Sequence, residues 1–175
     1  MYPGTGLSRL IDGWLIRIGK TLSWIWLILL GVIMLNVVMR YLFSEGRIEL
    51  EELQWHLYSV GFLVGMSYAY QADAHVRVDV LHERLRPRLK AWIELYGTLL
   101  LLIPFIVLVV GYGIPFMSSS FAVSEVSSSP GGLPYRWLIK GALPFGFALL
   151  ALAVLARLSR VWSFLFLQED TNARE

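Results

Sequence analysis

The side chains able to do chemistry are few, and most of them lie at the ends of apolar segments. His56, His75 and His82 are the only histidines, and there is no cysteine. Lack of cysteine excludes thiolate zinc sites, iron–sulfur ligation and thiol catalysis. A membrane cytochrome needs axial ligands that face each other across a bundle. Here only His56 falls inside an apolar segment, near its outer end, while His75 and His82 lie in a charged connection. Hydrogen bonding at an interface accounts for these histidines better than haem ligation does. No pair of carboxylates sits in the middle of an apolar segment, where an ion-coupled pump would place it. Glu94 lies one turn into its segment, beside Lys90, and can reach the interface. There is no glycine-rich phosphate loop, and no base accompanies a nucleophile as a hydrolytic triad requires. The chain therefore reads as a protein that is not an enzyme and holds no cofactor or metal of its own.

The remaining polar residues have spacings that suit contacts between helices. Asn36 and Arg40 are four apart and share a helix face, opposite the acidic stretch of Glu45, Glu49, Glu51 and Glu52 across a short turn. Two readings stand for Arg40: a side chain that snorkels to the interface, or a fixed ion pair with Glu51 or Glu52. The segment that follows has two distinct faces. Glu51, Gln54, Tyr58, Gly61, Gly65 and Tyr68 fall on one side, and Glu52, His56, Ser59, Leu63 and Ser67 on the other. Gly61 and Gly65 form a small-xxx-small motif that lets another backbone come close. One seam could serve this chain and the other a partner, or both could close a four-helix bundle.

These residues must be positioned by an all-α integral membrane protein. Of 175 residues 57% are apolar and only 16% charged, with mean hydropathy +0.61, against about 45–50% and about 25% in soluble domains. The pattern gives four transmembrane helices in a single membrane domain covering residues 1–175, with spans near 21–43, 53–70, 91–117 and 137–160. The second is the shortest and most polar. Of the 15 basic residues, Arg40, Arg47, Arg136 and Lys140 lie on one side and the other eleven on the opposite side. The positive-inside rule then places both termini and the middle connection in the cytoplasm. That asymmetry is distributed along the loops and forms no patch for nucleic acid. The first span exceeds the usual signal-peptide core of about 7–15 residues and reads as a retained anchor. Ahead of it, Leu7, Leu10, Ile11, Trp14, Leu15 and Ile18 recur at helical spacing. They fit either a helix lying in the interface or an early continuation of the first span. Asp79 is placed to cap a short helix and Pro87 to open the next one, and Pro130-Gly-Gly-Leu-Pro134 marks a turn in the longer outer loop.

Several segments, taken in order, resemble one family. Asn36-Val-Val-Met-Arg40, Glu51-Glu-Leu-Gln-Trp55, Gly61-Phe-Leu-Val-Gly65 and His75-Val-Arg-Val-Asp79 resemble the small, DctQ-like membrane subunit of tripartite ATP-independent periplasmic (TRAP) transporters. The resemblance covers nearly the whole chain and rests on joint order, not on any one motif. It implies a small permease subunit in the bacterial inner membrane, embedded in the lipid bilayer. Its partners would be a large membrane subunit and a periplasmic substrate-binding protein. It further implies uptake of an organic acid or related solute driven by a sodium gradient, with this chain as scaffold and docking aid. On this reading Asn36, Arg40, Glu51, Glu52, His56, Gly61, Gly65, His75 and Asp79 serve packing or subunit contact. Two other classes fit a chain of this size: a haem- or quinone-associated anchor of an oxidoreductase, and a small stand-alone exporter.

Overall fold

A computed structural model describes residues 4–74 and 85–167; His75 and Asp79, and with them the expected cap at Asp79, lie outside the described residues. The described residues contain helices and no strands. In chain order they are α1 (Gly6–Leu22), α2 (Ile25–Leu42), α3 (Ile48–Gln71), α4 (Pro87–Gly97), α5 (Ile103–Ala122) and α6 (Arg136–Trp162). A π-helical turn, Thr98–Leu102, joins α4 to α5, and a second, Ser163–Leu167, ends α6. The first π turn ends two residues before Pro104, which lacks an N–H and crowds the carbonyl four residues back, that of Leu100 within the turn. Widening the preceding turn lets the long helix continue through the proline.

Antiparallel and parallel neighbours arrange the helices in an open row, α2–α3–α6–α5. The α6 helix packs against α5, α3 and α1, whereas α2 packs chiefly on α3. Small residues set the crossings. A Cβ on Gly146 would lie 2.7 Å from Leu63 Cβ and 3.3 Å from the Leu63 backbone, so α3 and α6 meet there. A Cβ on Gly113 would lie 3.3 Å from Pro144, and one on Gly141 2.8 Å from Met117 Sδ, which fixes α5 against α6. Ile106, Phe147, Leu150 and Val154 fill the seam between α5 and α6, with Leu63 and Tyr70 of α3 alongside. The row has two ends. One carries both ends of the described chain, since Thr5 Oγ1 and Ser159 Oγ are 2.9 Å apart; the other carries the loop between α5 and α6.

The α1 helix is a separate element, divided from α2 at Ser23 and Trp24. It opens with a reciprocal cap: the Thr5 N–H donates to Ser8 Oγ (3.0 Å) and the Ser8 N–H to Thr5 Oγ1 (3.1 Å). Its apolar residues divide between two faces. Ile11, Leu15, Ile18 and Leu22 pack on Val64, Leu149 and Ala153, while Leu7, Leu10 and Trp14 are exposed. One stripe of α1 therefore docks on α3 and α6, and the other is left bare.

Three helices end alike. After α2, α3 and α5 a residue adopts the left-handed conformation, at Ser44 (φ 55°), Asp73 (φ 58°) and Ser124 (φ 49°). In each, the next N–H reaches back into the last turns: Ala74 to Ala69 and Glu125 to Ser120 across five residues, at 2.9 and 3.0 Å, and Glu45 to Met39 across six, at 3.1 Å. After α3 and α5 this is the Schellman closure, made with polar residues instead of the usual glycine.

By length and apolarity, Gly6–Leu42, Pro87–Ala122 and Arg136–Leu167 can each cross a membrane. The α3 helix, expected as the second span, has 24 residues, about 36 Å at 1.5 Å per residue. It falls short in apolarity because Glu49, Glu51, Glu52, Gln54 and His56 occupy its first turns. Its place in the row explains the tolerance: α2 flanks it on one side and α6 on the other, so Glu52, Gln54 and His56 are partly buried, and only Glu49 and Glu51 in its first turn stay exposed.

Candidate assembly site

Two polar clusters fasten the ends of the row. At the end with the chain termini, Arg157 is buried, 7% exposed. Its Nε donates to Glu94 Oε1 of α4, and its Nη1 donates to Asp73 Oδ1 at 2.8 Å. Its guanidinium carbon stands 5.9 Å from the centre of the Tyr70 ring. One turn on, Arg160 pairs with Asp12 of α1 at 3.3 Å. Thus α6 ties α1, α3 and α4 together through two arginines. The left-handed cap at Asp73 turns the chain where α3 ends, and its carboxylate joins this cluster.

At the other end the α5–α6 loop folds back onto α3. Glu52 accepts a hydrogen bond from Ser127 Oγ and a second, at 2.7 Å, from the Leu133 N–H. Within the loop the Ser127 N–H donates to the Leu133 carbonyl at 3.2 Å. Gly132 is needed here: a Cβ would lie 2.4 Å from Ser127 Cβ and 2.9 Å from Glu52 Oε1. Gly131, at φ +77°, supplies the turn that L side chains resist. Hydrogen bonds from Ser127 and then Leu133, with Arg136 and His56 nearby, hold the Glu52 carboxyl below the ordinary carboxylate range. Lys140 donates to Glu125, with Arg136 at 3.9 Å, and this pairing holds Glu125 low as well.

The expected residues separate on inspection. Glu52 does not pair with Arg40; its lone pairs are taken by the loop. Arg40 is exposed, its guanidinium carbon 5.4 Å from the Tyr41 ring centre, and it forms no ion pair among the described residues. Glu51 is exposed in the first turn of α3, where the helix dipole favours an anion. The Nδ1 of His56 lies 2.5 Å from the Glu52 carbonyl, so that nitrogen carries the proton. Asn36 is half-buried, and its Oδ1 has no hydrogen-bond partner among the described residues. The two glycines of α3 have different uses. A Cβ on Gly61 would lie 3.0 Å from Ile25 and 3.1 Å from Trp26, so α2 packs there; a Cβ on Gly65 would meet nothing within 4 Å.

Arg157 was legible in the sequence only as one positive charge among those flanking the last span. A better signal was Glu94, an acid inside an otherwise apolar segment that needs a cationic partner. For Glu52, the signal was the Pro-Gly-Gly-Leu-Pro turn, whose free N–H groups need an acceptor.

The outer flanks carry no partner. On α2, Leu27, Leu30, Met34, Tyr41 and Leu42 are more than half exposed, and on α5 so are Val107, Leu108 and Tyr112. Apolar faces of this extent belong in lipid or against another apolar chain. Comparison with known proteins agrees. The family model for the DctQ component of tripartite ATP-independent periplasmic transporters matches residues 29–164. The chain belongs to this family. A Haemophilus influenzae protein named "Putative TRAP transporter small permease protein" is 30% identical over 104 residues, 59% of this chain. The match spans 65% of that relative, slightly under two thirds of its length. Family and helices together make this a membrane protein and a transporter component, not an enzyme.

Proposed function

We propose that this chain is the small permease subunit of a TRAP-type secondary transporter. In this reading it holds a large membrane subunit in place and helps a periplasmic binding protein to dock. The carrying observation is the open row of helices, clamped at both ends and bare on its flanks. A chain whose helices are fixed to each other but expose α2 and α5 is suited to hold another membrane protein. The long transport helices, the sodium sites and the substrate site would then belong to the partner, with a sodium gradient as driving force and an organic acid or related solute as cargo.

The proposal places four crossings, by α2, α3, α4–α5 and α6, in the bacterial inner membrane as one domain. Thr5 and Ser159 would face the cytoplasm and the Glu52-anchored loop the periplasm. Eleven of the 15 basic residues would then be cytoplasmic, as the positive-inside rule favours. Supporting this, the end bearing the described chain termini is also the end bearing Arg157 and Arg160. On the periplasmic face, the loop held by Glu52 beside the exposed Glu49 and Glu51 offers a fixed surface to a soluble partner.

Vesicles containing this chain, the large subunit and the binding protein test the proposal. Uptake of the binding protein's ligand is expected under an inward sodium gradient and only with this chain present. Equal uptake without it would reject the scaffold role, and equal uptake without the gradient would reject the energy source.

A further inference from the structure

We propose that the recess between the α1–α2 bend and α3 binds an anionic phospholipid, holding its phosphate at Lys20 and the start of an acyl chain against Trp26 and Gly65. The recess has a volume of about 300 Å³ and is lined by Gly19, Lys20, Trp26, Gly61, Gly65 and Tyr68 among others. Its polarity runs along its length. At one end stand the exposed Lys20 ammonium, in the last turn of α1, and the Tyr68 side chain. Neither Lys20 nor the Tyr68 hydroxyl has an ion-pair or hydrogen-bond partner among the described residues. The other end is apolar, made by Trp26, Val64 and the two glycines. None of the lining residues is acidic, and Arg17, one turn before Lys20, is also exposed and basic. A cation at a membrane interface, next to an apolar slot, matches the order of groups in a phospholipid.

Two glycines shape the recess. A Cβ on Gly19 would lie 2.5 Å from the Tyr68 ring, so glycine lets α1 close directly over α3 and form a wall. Gly65 has nothing within 4 Å of its Cβ position, so it leaves the floor open without serving any packing inside the chain. The size decides between occupants. A helix with its side chains is about 10–12 Å across and cannot enter a space that suits part of a small ligand. The charge selects an anionic headgroup, since one lysine near a surface shifts anionic-lipid binding by about fivefold.

The full chain in phosphatidylcholine vesicles, with a photoreactive phosphatidylglycerol as probe, tests the assignment. Labelling is expected in the peptides covering residues 19–26 and 61–68, stronger than with a photoreactive phosphatidylcholine. It should not be displaced by inorganic phosphate. Lys20→Gln should lower it about fivefold, whereas Arg17→Gln removes the same charge outside the recess and should leave most of it. Gly65→Phe should fill the floor and abolish labelling; Gly31→Phe, on an open face of α2, should not. Circular dichroism and gel filtration check that each variant is folded, and Lys20→Gln decides the matter alone if Gly65→Phe is not. Labelling that ignores Lys20→Gln, or does not distinguish the two lipids, overturns the proposal. So does a photo-crosslinker at position 65 that captures protein instead of lipid in cell membranes.

Discussion

At the scale of single residues, Arg157 carries the most consequence. Its side chain is 8% exposed and bridges two carboxylates, one of them on Glu94, itself 16% exposed. Removing the guanidinium would take the cation away from the largely buried Glu94 carboxylate. Arg157→Met should therefore cost about 3–5 kcal/mol, the usual penalty for breaking a buried pair. Arg157→Lys, which keeps the charge but loses the planar fork, should fall between. By contrast Arg47 and Glu45 pair at 3.3 Å with side chains 55% and 57% exposed, so Arg47→Ala should cost about 0–1 kcal/mol. Thermal unfolding of the purified chain in detergent orders the three variants, and an unshifted melting temperature for Arg157→Met would refute the clamp. The loop anchor has a pH signature. Glu52 and Glu125 have carboxyl pKa values lowered by folding. Their stabilisation is therefore complete above the unfolded carboxylate value of about 4.3 and is lost as pH falls through the lower, folded values. Hydrogen exchange at the Leu133 amide should stay slow from neutral pH into the acid range and then rise, relative to its intrinsic rate, below about pH 4. Glu52→Ala should show the fast rate at neutral pH.

At the scale of helices, the α3–α6 crossing is the tightest dependence on a small residue. A side chain at Gly146 meets Leu63 backbone as well as its Cβ, so Gly146→Val must move a helix and should destabilise by about 1–3 kcal/mol. Gly65→Leu should leave the fold of the isolated chain intact, since no atom of the chain stands in its way. Denaturant titration of both variants checks this contrast, and equal losses would contradict it. The same contrast shows how far sequence could reach. Apolar length marked the helices well, because a span must be long and apolar whatever it packs against. The small-xxx-small spacing treats its two glycines alike, and spacing alone could not say that Gly61 meets α2 while Gly65 meets nothing. Helix ends were harder to read. Ser44, Asp73 and Ser124 close their helices where glycine is the ordinary signal, so the sites that place Asp73 and Glu125 beside their cations carried no punctuation. Spacing likewise left two readings for Arg40, and the ion pair with Glu52 is not the one that forms. The acids were near in sequence, but the loop from 75 residues downstream supplied Ser127 and claimed Glu52 first.

At the scale of the molecule, the order α2–α3–α6–α5 leaves two helices at the margins and explains why so much apolar surface stays exposed. A closed bundle would bury the inner stripe of α2 against α5 or α6; the open row leaves both margins for lipid and a partner. The absence of cysteine makes topology easy to probe. A cysteine at Ser128 should react with an impermeant thiol reagent in intact cells and one at Arg86 should not; the reverse pattern would contradict the proposed orientation. The central claim is that the bare flanks hold a large membrane subunit, and site-specific photo-crosslinking in the assembled complex tests it most directly. Crosslinkers placed in turn at Leu30 and Met34 of α2 and at Leu108 and Tyr112 of α5 cover both margins. The account predicts that at least one margin captures the large subunit at successive turns, and that this chain copurifies with it. Crosslinks to lipid alone from both margins, with the two chains eluting separately, would contradict it.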